Sequence, residues 1–168
     1  MGAVVSLFRR FEVWLMAALV LVDQFTKAIV VREIPLHSTV NVIPGLLAMT
    51  HVRNTGAAFG FLNSVDFPFK WLVVTVAAVI ALAAIALYAA QFAGESLLAR
   101  VGLAMVLAGA VGNLIDRTRL GYVVDFVDVH YAGWHFWAFN VADSAITIGA
   151  AALILDIIRS PRHVPEAV

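Results

Sequence analysis

The sequence predicts an all-α integral membrane protein with a small β element. Of its 168 residues, 62% are hydrophobic and only 13% are charged, whereas soluble domains carry about 25% charged residues. Four apolar segments are long enough to cross a hydrocarbon core, which takes about 20 residues in a helix. Two of the connecting loops contain stretches typical of β-strands. We therefore expect four transmembrane helices in a single membrane-embedded domain over residues 1–168.

The four predicted spans differ in their polar content. They cover residues 11–31, 71–90, 97–115 and 139–158. The first contains Asp23 and Lys27, whose four-residue spacing favours mutual neutralisation. The third carries Arg100 near one end, where its side chain can snorkel to the interface. Small residues recur in the third and fourth spans, which indicates close approach of these two helices.

The loops after the first and third spans contain the predicted β element. Residues 46–53 alternate in the manner of a strand on a half-buried surface, and residues 122–129 are rich in β-branched side chains. Within the second strand, Asp125 and Asp128 would face opposite sides because they are three residues apart. Residues 54–60 are small and partly apolar, and we interpret them as a short interfacial helix.

The unusual polar residues converge on one face of the membrane. With four spans, both termini lie on one side and the first and third loops lie on the other. The residues on the loop side are Asp23, Lys27, Asn54, Asn113, Asp116, Asp125, Asn140 and Asp143. This placement indicates one site at one interface and disfavours a path through the bilayer. Lysine and arginine divide almost evenly between the two sides, so charge bias does not fix the orientation.

Composition and motifs exclude several kinds of chemistry. The formal net charge is zero, which gives no electrostatic reason to expect nucleic acid as a partner. The chain has no cysteine, and its five histidines show no metal-binding spacing along the sequence. Neither a His-Glu-x-x-His nor a Gly-x-Ser-x-Gly motif occurs. Carboxylates are therefore the candidate catalytic groups, and we expect neither a metal nor an organic cofactor.

Asp125 and Asp143 are the candidate catalytic pair. A carboxylate at the edge of hydrocarbon is costly, and such residues are functional candidates by default. Two carboxyl groups held close together cannot both ionise easily, so the pair can supply a general acid and a general base. The alternative is that these aspartates cap helix ends, since Asp143 lies near the start of an apolar segment.

Two Asn-x-x-Asp pairs accompany the candidate pair. Asn113 and Asp116 are three residues apart, as are Asn140 and Asp143, so each pair shares one helix face. An asparagine one turn from a carboxylate can hydrogen-bond it and fix its orientation. An equally good alternative is that these residues connect helices through polar contacts. Arg117 can pair with Asp116 or with a lipid phosphate.

Five motifs resemble the signature blocks of the bacterial lipoprotein signal peptidases, also called type II signal peptidases. They are Asp23-Gln24-x-x-Lys27, Asn54-x-Gly56-x-Ala58-Phe59, Gly112-Asn113-x-x-Asp116-Arg117, Val123-Val124-Asp125-Phe126 and Phe139-Asn140-x-Ala142-Asp143. The motifs occur in the order found in that family. The resemblance implies an aspartic endopeptidase of the bacterial inner membrane. Its active site would lie at the periplasmic or outer face, and its termini would be cytoplasmic.

The resemblance also implies a substrate and a fold. The enzyme would remove signal peptides from prolipoproteins by cleaving before a diacylglyceryl-modified cysteine. Its partners would be these signal peptides and membrane lipid, and we expect a monomer. The implied fold is four helices, an interfacial β-cradle and a short interfacial helix. Asp125 and Asp143 would be catalytic, and the residues that bind substrate or support the site would be Asp23, Lys27, Asn54, Gly56, Asn113, Asp116, Arg117 and Asn140.

Two other functions are compatible with the residues alone. A small proton- or ion-coupled transporter can use buried carboxylates, although it needs polar residues across the membrane depth and usually repeated halves. Neither feature is visible in the sequence. A non-catalytic lipoprotein chaperone on the same scaffold would differ from the enzyme only in activity.

Overall fold

The computed structural model describes residues 10–56, 67–92 and 96–159. Four helices occur in this part of the chain: α1 (Arg10–Glu33), α2 (Lys70–Phe92), α3 (Leu97–Leu120) and α4 (Val141–Arg159). Four strands accompany them: β1 (Thr39–Ile43), β2 (Leu47–Asn54), β3 (Val123–Tyr131) and β4 (Trp134–His135). The predicted class, a helical membrane protein with a small β element, is confirmed.

Three of the helices, α1, α3 and α4, are long and apolar enough to cross a membrane. Helix α2 contains an apolar stretch from Lys70 to Ile85, and its crossing as a fourth span stays a prediction. Large apolar side chains are exposed along the outside of α1, among them Trp14, Leu21 and Phe25. Such a surface is expected where a helix faces lipid, because the lipid tails are themselves apolar.

Helix α3 lies at the centre of the bundle and contacts the other three helices. Its contact with α4 depends on residues that lack a side chain. A Cβ atom on Gly102 would lie 2.8 Å from the carbonyl oxygen of Gly149, and one on Gly149 would lie 2.5 Å from the carbonyl oxygen of Gly102. The small residues of these two spans therefore have the predicted role of letting the backbones touch.

An ion pair is buried between α1 and α3. The Nε atom of Arg100 donates to Oε1 of Glu12 at 2.9 Å, and both side chains are buried. The expected snorkelling of Arg100 is therefore wrong. The two helices run parallel, so Glu12 lies at the same depth as Arg100 and provides a counter-charge inside the bundle.

The strands form one antiparallel sheet in the order β1-β2-β3-β4. The two predicted strands, β2 and β3, pair with each other at its centre. The outer strands, β1 and β4, were not predicted from the sequence, although Thr39-Val40-Asn41-Val42 of β1 alternates between polar and apolar residues. All five residues of β1 are exposed, and β4 has only two residues.

The short interfacial helix predicted over residues 54–60 is absent from the described part of that segment. Asn54 ends β2 instead. The N–H of Gly56 donates to Oδ1 of Asn54 at 3.0 Å, which forms a turn directly after the strand. Residues 57–60 of the prediction lie outside the described residues.

A tight turn joins α3 to β3. Gly121 has a φ of 80° and donates its N–H to the carbonyl oxygen of Arg117 at 3.1 Å. This left-handed conformation ends helices and favours glycine, since other residues meet steric strain there. Strand β3 begins two residues later, so the end of α3 and the start of β3 are held close together.

Backbone hydrogen bonds between β3 and Phe139 then position the start of α4. The N–H groups of Phe126 and Val127 both donate to the carbonyl oxygen of Phe139, at 3.0 and 2.8 Å. This pairing brings Asn140 alongside β3 immediately before α4 begins. The candidate residues of β3 and of α4 therefore meet across one short stretch of backbone.

Candidate active site

Asp125 and Asp143 are brought together by Asn140. The side-chain amide of Asn140 donates to Oδ1 of Asp125 at 2.8 Å. The backbone N–H of Asn140 donates to Oδ2 of Asp143 at 3.2 Å. Asn140 has no exposed surface and Asp125 is only 3% exposed, so the hydrogen bond between these two side chains forms away from water, whereas Asp143 is half-buried. One residue thus holds both carboxylates of the predicted pair.

Asp143 also caps helix α4. Oδ1 of Asn140 accepts the backbone N–H of Asp143 at 2.9 Å, while Asp143 accepts the backbone N–H of Asn140. This reciprocal arrangement is a capping box, which satisfies two N–H groups that the helix itself leaves free. Asp143 therefore takes part in capping the helix, with Asn140 as the N-cap residue, and its catalytic role stays a prediction. The capping alternative does not apply to Asp125, which lies within β3.

Asp125 is held from two sides. Asn54, at the end of β2, donates its side-chain amide to Oδ2 of Asp125 at 3.0 Å, and Asn140 donates to Oδ1. Burial and, to a lesser extent, the nearby charge of Asp143 raise the pKa of Asp125 to about 7, although these hydrogen bonds and the charge of Lys27 act in the opposite direction. A proton therefore stays on this carboxyl group up to near-neutral pH.

Asn113 links α3 to the same centre. Its Nδ2 atom donates to Oδ1 of Asp143 at 2.7 Å, and its Oδ1 atom accepts from Asn140 at 3.2 Å and from Lys27 at 3.0 Å. The hydrogen bond expected within an Asn-x-x-Asp pair therefore forms for Asn140 and Asp143. Asn113 instead reaches across to α4, which fits the alternative of polar contact between helices.

A buried charge cluster lies next to the two carboxylates. Lys27 Nζ is 2.9 Å from Oδ2 of Asp23 and 3.0 Å from Oδ2 of Asp116, and no side chain of the three is more than 4% exposed. Gln24 donates to Asp116 at 3.0 Å and to Asp23 at 3.2 Å. The predicted neutralisation of Asp23 by Lys27 is confirmed, and Asp116 shares the same cation.

Each aspartate of this cluster holds a backbone N–H beside the candidate pair. Oδ1 of Asp23 accepts from the N–H of Ala142 at 2.9 Å, and Ala142 directly precedes Asp143. Oδ2 of Asp116 accepts from the N–H of Val124 at 3.1 Å, and Val124 directly precedes Asp125. The cluster therefore fixes the backbone on which both candidate carboxylates are mounted.

Arg117 and Gly56 border the site. Arg117 donates from one terminal nitrogen to the carbonyl oxygen of Gly56 at 3.3 Å. Its guanidinium also interacts electrostatically with Asp143, Asp125 and Asp116. Within the described residues Arg117 makes no direct salt bridge with Asp116, so the predicted pairing with that residue is limited to attraction at longer range. Arg117 instead places a positive charge beside the two candidate carboxylates and holds the turn after β2.

Two residues of the site were absent from the predicted set. Gln24 donates to the carbonyl oxygen of Gly112 at 3.1 Å as well as to the charge cluster. A Cβ atom on Gly112 would lie 2.6 Å from Oδ2 of Asp23, so only glycine lets α3 approach that carboxylate. Both could have been found from the sequence, because Gln24 follows Asp23 and Gly112 precedes Asn113 within the recognised motifs.

Replacement of Gly112 by alanine should destabilise the protein by about 1–3 kcal/mol, the usual cost of overpacking a close contact. The added methyl group would displace Asp23 and with it the support for the start of α4. Thermal unfolding of the purified variant in detergent measures this loss. An unchanged unfolding temperature would mean that α3 and Asp23 separate at no cost, and the contact would then have no structural importance.

The fold and the site together define a small integral membrane protein with two linked carboxylates at one end of a helical bundle. The sequence model of the family described as "Signal peptidase (SPase) II" matches residues 15–159. The chain therefore belongs to the signal peptidase II family and is a peptidase. The resemblance inferred from the five motifs is confirmed.

Curated relatives and solved structures agree with this assignment. The chain is 46% identical over 158 residues to the lipoprotein signal peptidase of Geobacter metallireducens, covering 93% of this chain and 94% of that protein. It is 43% identical over 150 residues to that of Pseudomonas aeruginosa, covering 89% and 88%. A solved structure described as a bacterial membrane enzyme has a TM-score of 0.81 and 32% identity, covering 96% of this chain and 95% of that one.

Proposed function

We propose that this chain is an aspartic endopeptidase that removes signal peptides from prolipoproteins, with Asp125 and Asp143 as its catalytic residues. The observation that carries the proposal is the linkage of two carboxylates through Asn140 in a member of the signal peptidase II family. The relatives that are named lipoprotein signal peptidases support the choice of substrate. No observation favours the transporter alternative.

The two carboxylates would divide the chemistry between them. The ionised one takes a proton from a water molecule that attacks the scissile carbonyl carbon. The protonated one donates a hydrogen bond to the carbonyl oxygen and later helps the amine to leave. The raised pKa of Asp125, about 7, supports this division, because a pair that retains one proton near neutral pH contains both an acid and a base.

The neighbouring residues would hold the two catalytic carboxylates in position against the substrate peptide. Asn54, Asn113 and Asn140 hold the carboxylate oxygens, so that the unused lone pairs are directed at the substrate. Arg117 is positioned to bind the backbone of the substrate or to offset negative charge during the reaction. Gly56 offers a backbone group at the border of the site. Asp23, Lys27 and Asp116 are positioning residues, because they act on the backbone of the two carboxylates.

The proposal also covers how the lipidated substrate enters the site and which side of the membrane the site faces. The diacylglyceryl chains of the substrate would lie between helices, so that the precursor enters laterally and is cut before its lipidated cysteine. The site would face the outer side of the bacterial inner membrane, with both termini in the cytoplasm. We propose that the enzyme acts as a monomer.

Cleavage of a diacylated prolipoprotein by the purified chain in detergent, with a metal chelator present, tests this function. We expect a product that ends immediately before the lipidated cysteine, identified by mass spectrometry of both fragments. A precursor in which serine replaces that cysteine is the matched control and should stay intact. Failure of the folded chain to cut the diacylated precursor would overturn the proposal.

The rate of cleavage should fall at both acidic and alkaline pH. Because burial raises the pKa of Asp125 to about 7, the shared proton is lost as pH rises through neutrality, and the general acid is lost with it. At low pH both carboxyl groups are protonated and no base remains. Initial rates at constant detergent and lipid measure the profile. A rate that stays flat into strongly alkaline solution would contradict acid–base catalysis by this pair.

A further inference from the structure

A second cluster of ligating side chains lies on the hairpin that follows the candidate site. It consists of Asp128, His130 and His135, whose potential metal-binding atoms all lie within 4.8 Å of one another. Asp128 and His130 are two residues apart in β3 and share a face of the strand. His130 is paired with His135 across β3 and β4, so the third side chain projects from the same face.

The three side chains are already directed at one another. Nδ1 of His135 lies 3.0 Å from both carboxylate oxygens of Asp128, and Nδ1 of His130 lies 3.8 Å from Oδ2 of Asp128. The two imidazole rings stack with their centroids 4.9 Å apart. Donor atoms around a single tetrahedral zinc ion are about 3.3 Å apart. These separations therefore match a shared metal ion after small rotations of the side chains.

One atom of the cluster lacks a partner. Nδ1 of His130 is buried and has no hydrogen bond within the described part of the chain. A buried polar atom in that state is costly and calls for an explanation. His135 is 58% exposed on its side chain, so it is free to adjust towards an incoming ligand, and solvent can reach the centre from that side.

We propose that Asp128, His130 and His135 form a binding site for a divalent transition-metal ion of the zinc type. Imidazole nitrogen is a preferred ligand of zinc, cobalt and nickel, whereas magnesium and calcium prefer all-oxygen sets. Three protein ligands leave at least one coordination position for water on the exposed side of His135. The histidines have no metal-binding spacing along the sequence, and it is the pairing of β3 with β4 that creates it.

The site is separate from the proposed active site. Asp125 and Asp128 are three residues apart in a strand and therefore face opposite sides. Asp125 bonds to Asn54 and Asn140, whereas Asp128 bonds to His135. A bound ion would tie the two-residue strand β4 to β3. Binding to the folded state alone would then stabilise the protein in proportion to the occupancy of the site.

Metal binding by the full chain, purified without a histidine tag and stripped with a chelator, tests the proposal. We expect one cobalt or zinc ion per chain, measured by equilibrium dialysis with elemental analysis, and no retention of magnesium. His135→Ala should weaken zinc binding by at least about tenfold. His37→Asn is the matched control, because His37 is an exposed histidine outside the cluster, and asparagine tolerates its positive φ of 64°.

Thermal unfolding with and without zinc provides a second measurement. Zinc should raise the unfolding temperature of the unmodified chain and of His37→Asn, and should not raise that of His135→Ala or Asp128→Asn. The metal-free unfolding temperature of each variant reports whether it is folded. Equal zinc binding by the unmodified chain and His135→Ala would overturn the proposal, as would the absence of stoichiometric binding.

Discussion

Replacement of either Asp125 or Asp143 by asparagine is expected to reduce cleavage by on the order of 10⁴-fold. Asparagine has nearly the shape of aspartate, but it can neither accept the proton of the attacking water nor donate an acidic proton. The two single variants should lose similar amounts of activity, because each removes one half of a unit that works together. Single-turnover cleavage of a diacylated precursor measures the loss.

Both variants should remain folded. At position 143 an asparagine oxygen can still accept the N–H of Asn140, so the capping box survives. At position 125 the folded state holds the carboxyl proton more tightly than the unfolded chain, since the folded pKa is about 7 against an ordinary value near 4. The stability contributed by this group is therefore lost as pH rises from about 4 to 7. Because asparagine does not ionise, the unfolding temperature of Asp125→Asn should depend less on pH between about 4 and 7 than that of the unmodified chain.

Asp128→Asn is the control that distinguishes the loss of a catalytic carboxylate from the general effect of replacing an aspartate of β3 by asparagine. It is another aspartate of β3, but its hydrogen bonds go to His135 and not to the candidate site. Assayed with a chelator present, this variant should keep most of its activity. If Asp128→Asn were inactive and Asp125→Asn active, the wrong carboxylate would have been paired with Asp143.

The sequence sufficed to predict the helices and the convergence of the site, because both depend on local patterns. Apolar runs of fixed length locate the helices, and their number places Asp23, Asp116, Asp125 and Asp143 on one face. Strands β2 and β3 were predictable because their residues alternate or are β-branched. The exposed β1 also alternates, with Val40 and Val42 on either side of Asn41, so it was predictable from the same signal, whereas the two-residue β4 is too short to show one. Each pairs with its neighbour in the chain across a short turn, β1 with β2 and β4 with β3.

The partners of individual side chains could not be predicted. The sequence places Asn113 one turn from Asp116, yet it bonds to Asp143 because the depth of α3 relative to α4 decides which side chains meet. The same reasoning explains why Arg100 pairs with Glu12. Such offsets are set by close contacts at glycines and by the turns between helices, and local spacing carries no information about them.

Removal of the charge of Lys27 is expected to cost about 3–5 kcal/mol of stability, the usual effect of breaking a buried ion pair. In Lys27→Met, Asp23 and Asp116 would remain side by side in the bundle with no cation between them. These aspartates also hold the backbone beside the two candidate catalytic residues. The fraction that still folds should therefore be poorly active. Thermal unfolding and cleavage, measured on the same preparation, report the two effects.

A variant without charges in this cluster distinguishes the loss of the lysine charge from the loss of the packing of its side chain. In the triple variant Lys27→Met, Asp23→Asn, Asp116→Asn the cluster has no charge, while asparagine oxygens can still accept the N–H groups of Ala142 and Val124. Because the three residues form one network, their effects should not add. The triple variant should therefore be more stable than Lys27→Met alone and should recover cleavage. If it were as unstable as Lys27→Met, the shape of the lysine side chain, and not its charge, would hold this end of the bundle together.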